Sequence, residues 1–131
     1  MTRSLAIRLI YVVCPTGATG NHALVLLRHG LSWDYGGAPV ESAAFWTSLT
    51  LLDPLAAILL LARPNFGVGM TAAIIVADVS HNFWIRVHYA PAGANLTRLF
   101  CDPFLLSQLA FLIVVMATLR YAQVNSPRQS D

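Results

Sequence analysis

The chain has 131 residues, with eight arginines, six acidic residues and no lysine. Charged side chains make up 11% of it, less than half of the roughly 25% found in an ordinary soluble domain. The apolar fraction is 56% and the mean hydropathy is +0.62. Those values exclude a soluble enzyme and a disordered chain, and a net charge of +2, evenly spread, provides no phosphate-binding surface for nucleic acid. The remaining class is an all-α integral membrane protein, and the informative question is where its few charges sit.

A membrane-spanning helix needs about 20 apolar residues. Four such stretches follow one another, at 9–27, 43–62, 68–87 and 104–121. They predict a four-helix transmembrane bundle forming a single domain over 1–131, with short polar tails at 1–8 and 122–131. At the N-terminus Arg8 interrupts the short apolar run after Arg3 and apolar sequence resumes through 23–27, so a retained helix reads better than a cleaved signal peptide. Pro15, Gly17 and Gly20 should bend or loosen that helix. Cys14 and Cys101 fit neither a disulfide framework nor a metal motif and read as small core residues. The tight second loop, Arg63-Pro64-Asn65-Phe66-Gly67, makes helices 2 and 3 an antiparallel pair. The longer first loop, 29–42, should cap one mouth of the bundle.

With four spans, both termini and the second loop share one side. That side holds Arg3, Arg8, Arg63, Arg120 and Arg128, against Arg28, Arg86 and Arg98 on the other. The excess places both termini in the cytoplasm by the positive-inside rule. Trp33, Tyr35, Trp46, Trp84 and Tyr89 fall near the opposite boundary, where amphipathic rings anchor. Trp46 and Trp84 lie slightly deeper and are candidates to wall a pocket.

Ionisable groups inside a span are costly and usually functional. Asp53 is at the midpoint of the second predicted helix and Asp78 at that of the third. His81 lies about 5 Å outward of the midpoint of its helix and His22 about 6 Å outward of the midpoint of the first. Thr50 and Gln108 fall about 4 and 7 Å outward, and Asn21 and Asn82 flank the histidines. Asp78, His81 and Asn82 share a helical face by i, i+3, i+4 spacing, while Asp53-Pro54 should kink the second helix and expose backbone carbonyls. All four helices thus offer polar groups to one layer, and the other half is apolar. The pattern predicts a blind cavity, open outward or sideways and closed toward the termini. Asp53, Asp78 and His81 are the candidate proton-transfer groups. Asn21, His22, Trp46, Thr50, Asn82, Trp84 and Gln108 are the candidate ligand contacts. Asp102 before Pro103 reads as a helix N-cap. Arg86 has Asp34, Glu41 and Asp102 as candidate partners. A haem between His22 and His81 is geometrically conceivable, but no Cys-x-x-Cys-His signature is present and no cofactor or metal is assigned.

The run Phe45-Trp46-Thr47-Ser48-Leu49-Thr50-Leu51-Leu52-Asp53 resembles the EXPERA domain of four-helix membrane proteins, which includes sterol isomerases. The segments Ala73-Ile74-Ile75-Val76-Ala77-Asp78-Val79-Ser80-His81-Asn82 and Asp102-Pro103-Phe104-Leu105-Leu106 are similar to the same family. The acid expected in the first helix is absent, with His22 in that region, and Asp78 is not part of the pattern. The resemblance implies a pocket for a sterol-like lipid or cationic amphiphile. It further implies double-bond isomerisation, with Asp53 as acid and Asp78–His81 as base and charge stabiliser. Two other classes stay open: a small proton-coupled transporter, and a structural subunit of a larger membrane complex. A homodimer is compatible with each.

Overall fold

The computed structural model describes residues 2–89, 97 and 101–124. Four helices follow in order: α1 Arg3–His29, α2 Val40–Ala62, α3 Pro64–His88 and α4 Pro103–Ala122. Each is long and apolar enough to cross a membrane, so the chain is a multi-pass membrane protein with an all-α, up-and-down bundle. Consecutive helices are neighbours, and α4 returns to α1. Arg98 and Arg128, which enter the sidedness argument, lie outside the described residues.

The helix ends follow local chemistry. Thr2 caps α1, its hydroxyl accepting from the Leu5 amide at 3.3 Å, so residues 3–8 are helical rather than a polar tail. The helix then runs unbroken through Pro15, Gly17 and Gly20 to His29. No loosening occurs because only the proline removes a backbone bond, leaving the Tyr11 carbonyl without its i+4 donor. In the same way α2 continues through Pro54, and the Thr50 carbonyl loses its i+4 donor. The loop between α1 and α2 turns through Gly36 and Gly37 at φ 79° and 89°, values that glycine adopts without a Cβ penalty.

Gly67 sets the α2–α3 hairpin. A Cβ there would land on the backbone nitrogen of Leu60, so only glycine permits this approach. Leu60 and Gly67 are therefore level, which makes Asp53 level with Ile74. Asp78 then stands four residues, about 6 Å, beyond Asp53 along the bundle axis. The two acids are offset by a turn instead of sharing one plane.

The end carrying the termini is closed. Tyr11, Leu60, Val68 and Val115 are fully buried there. Tyr11 donates to, or accepts from, the Thr118 hydroxyl at 2.8 Å and reaches the Val115 carbonyl at 3.0 Å. The Ser4 hydroxyl donates to the Ala122 carbonyl at 2.9 Å. Asn65 exchanges two hydrogen bonds with the Val124 backbone. Arg8 is buried, donating to the Leu60 carbonyl at 3.1 Å, where a cation complements the negative end of α2. Interhelical hydrogen bonds in membranes contribute about 0.6 kcal/mol each, so close packing of these side chains does the rest.

At the opposite end Arg86 pairs with Asp102 at 2.9 Å, deciding among its three candidate partners. Asp102 also caps α4, one of its oxygens accepting from the Phe104 and Leu105 amides at 2.9 and 3.0 Å. The Leu105 hydrogen bond, with help from Arg86, holds this carboxyl below the usual carboxylate range.

Candidate functional site

Above the closed end the helices enclose a slot of about 300 Å³. From α1 it is lined by Cys14, Pro15, Gly17, Ala18, Asn21 and His22, and from α2 by Asp53 and Ala56. From α3 it is lined by Thr71, Ile74, Ile75 and Asp78, and from α4 by Phe104, Ser107, Gln108 and Phe111. The lining residues of α2 and α3 are buried or half-buried, whereas Cys14, Gly17, Asn21, Phe104 and Ser107 are exposed. The open side therefore runs lengthwise between α1 and α4, facing the lipid. Tyr11 packs edge-on against Phe111 with centroids 6.0 Å apart and closes the slot where α1 and α4 converge. The slot spans Cys14 to His22 on α1, about 12 Å, so it is long and narrow.

Two different polar arrangements face it. Asp78 is held in a ring of amides. The Asn82 amide donates to one carboxylate oxygen at 2.8 Å and the Gln108 amide donates to the other at 2.7 Å. Asn82 also donates to the Gln108 oxygen at 3.2 Å and accepts from the Trp46 indole at 2.9 Å. Both Asp78 oxygens are paired, which fixes the orientation of its carboxyl. Asp53 is only 4% exposed and lines the slot together with Asp78. It has no hydrogen-bond partner among the described residues. His22, 9% exposed, is likewise without one, and the buried Thr71 hydroxyl has none either. Buried polar groups are normally satisfied, and of the slot's lining these three are the buried groups left for a bound molecule; the other unpartnered buried atoms, on Arg8, Ser42, Thr50 and His81, lie outside it.

Of the candidate residues, Asn21, His22, Asp53, Asp78 and Gln108 meet at the slot. Asn82 and Trp46 stand behind it, holding Asp78. His81 does not line it. Its ring lies 4.7 Å from Phe45, 5.5 Å from Trp46 and 6.3 Å from Trp84. Asp78 pairs with Asn82, one position further along α3, and His81 turns toward the α2 aromatics. His22 and His81 face different spaces, which removes the geometry for a haem between them. Trp84 stacks on His88 with centroids 4.9 Å apart and walls no part of the slot. The Thr50 hydroxyl is buried, unpartnered and away from the lining. The rings His29, Trp33, Tyr35 and Trp46 follow one another at 4.0, 4.7 and 5.1 Å, forming a belt at the end opposite the termini.

Sequence reasoning missed Cys14, Gly17, Thr71, Ser107 and Phe111. Cys14 and Cys101 are exposed and not core residues, because a thiol is apolar enough to face lipid. For three of the others a signal was present: Thr71 is seven residues before Asp78, and Phe111 lies three after Gln108 and four after Ser107, so these share helical faces.

No family model, curated protein or solved structure matches this chain.

Proposed function

We propose that this membrane protein binds a small hydrophobic or amphiphilic molecule, drawn sideways from the bilayer between α1 and α4. One observation carries the reading: a slot open to lipid contains two buried, unpartnered ionisable side chains, Asp53 and His22. Polar groups left unsatisfied in a low-dielectric setting cost several kcal/mol; a ligand with matching polar atoms relieves that cost. The packed layer of Tyr11, Leu60, Val68 and Val115 argues against a transport path through the bundle. A sterol-like lipid or cationic amphiphile belongs to the class of molecule the slot suits. The EXPERA resemblance extends the proposal to double-bond isomerisation: Asp53 as the acid gives its proton to one alkene carbon, and Asp78 stabilises the carbocation and removes a proton from the neighbouring carbon, returning it to Asp53. On the arginine excess we place both termini in the cytoplasm. The test is photolabelling in phosphatidylcholine nanodiscs with a phenyl diazirine, a small lipid-soluble carbene source. Saturable labelling of residues 14–22 and 104–111 is expected. Labelling that never saturates, and that is equal at the lipid-facing Leu51, Ile58 and Ile113, contradicts the reading.

A further inference from the structure

Two of the three unpartnered groups of the slot, His22 and Asp53, are far apart. The Ser4–Ala122 and Tyr11–Val115 hydrogen bonds fix the α1–α4 register and put His22 level with Phe104. Gln108 bonds both Asp78 and Asn82, which puts Phe104 near the level of Trp84. Asp53, by contrast, is level with Ile74, ten residues lower on α3, or about 15 Å along the axis. Side chains lean toward the N-terminus of their own helix. His22 therefore leans down toward Asp53 and Asp53 leans up toward His22, which brings their polar tips closer than their backbones.

A head group with one polar atom, such as an amine or an alcohol, satisfies one of these side chains and leaves the other buried without a partner. A flat ring with oxygens on opposite edges satisfies both. Its two carbonyls and two hydrogen bonds of about 2.8 Å each bridge about 11 Å between the protein atoms. Phe104 and Phe111 supply aromatic faces from α4, and Ile74 and Ile75 supply the opposite apolar wall, as a planar ring requires. The gap between α1 and α4 gives an apolar tail its exit to the bilayer.

From this placement we propose that the slot binds the head of a lipid-soluble para-quinone or its quinol, one oxygen toward His22 and the other toward Asp53. The imidazole N–H donates to one oxygen. The Asp53 carboxyl donates to a quinone oxygen when protonated and accepts from a quinol hydroxyl when ionised. This inference rests on the lateral slot and adds the ligand class.

The experiment is competition against the diazirine label in nanodiscs, using decylubiquinone, decylbenzene, which lacks the oxygens, and decylamine, which has one polar atom. Decylubiquinone is expected to block labelling of residues 14–22 at a concentration at least ten-fold below either of the others. His22→Leu and Asp53→Leu are each expected to raise that concentration about ten-fold. The comparison of the three probes is made on the unsubstituted protein and does not depend on the folding of either variant. Competition by decylbenzene or decylamine equal to or better than that by decylubiquinone overturns the quinone assignment and leaves the lateral slot standing. Absence of saturable labelling overturns both.

Discussion

Asp53 and Asp78 are the same residue type on adjacent helices, yet their surroundings assign them opposite roles. Both oxygens of Asp78 accept amide hydrogens. Asp78→Asn puts an N–H₂ group against one of those donors, and a buried donor left unpaired costs about 1–3 kcal/mol. Asp53 has no protein partner to lose, so Asp53→Asn should cost less stability than Asp78→Asn. Unfolding of the two variants in detergent checks this contrast; equal losses would show that Asp53 is part of the structural network. Gly67→Ala is expected to be worse tolerated than its size suggests. Its methyl meets the Leu60 backbone, which no rotamer change relieves, and overpacking of this kind costs about 1–3 kcal/mol. At this scale the sequence revealed which polar residues are buried, because charges inside apolar spans stand out. It did not reveal their partners. Spacing alone made His81 as good a neighbour for Asp78 as Asn82. The choice depends on the rotation of α3 against α4, where Gln108 completes the amide ring, and against α2, where Phe45 and Trp46 receive His81.

At the scale of the elements, the four spans were legible because each is a long apolar run between turn residues. Their ends were less so. Residues 3–8 join α1 because Arg8 finds the Leu60 carbonyl and Arg3 lies over the Tyr121 ring at 4.1 Å, both long-range contacts. The start of α4 was readable, since Asp102-Pro103 is a local capping signal. The cap also carries a pH dependence. The carboxyl of Asp102 is held below its ordinary range in the folded protein. Its contribution is therefore present above the ordinary carboxylate range and is lost as pH falls through that range and below it. Melting temperatures measured from pH 7 to pH 3 should fall on the acid side, and Asp102→Asn should flatten part of that fall. An unchanged acid limb in the variant would remove the cap from the explanation. On α1, Gly17 lines the slot and has nothing within 4 Å of where a Cβ would stand. Gly17→Leu should fill the mouth of the slot without disturbing the bundle, leaving the helix content unchanged, the ligand excluded and the melting temperature insensitive to added ligand.

For the whole molecule, the division into a closed end and a slotted end was visible as a polar layer on one side of the midplane. The lateral opening was not decided by the sequence. It arises because α1 and α4 are joined at their terminal ends through Ser4 and Tyr11, while residues 14–21 and 104–107 face one another across the slot. The central claim is that this slot holds a molecule taken from the bilayer, and native mass spectrometry of the protein extracted in mild detergent tests it most directly. The unsubstituted protein should carry one small lipid-soluble molecule per chain, and Gly17→Leu, equally folded, should carry none. A bare unsubstituted protein, or a molecule retained equally by Gly17→Leu, would contradict it.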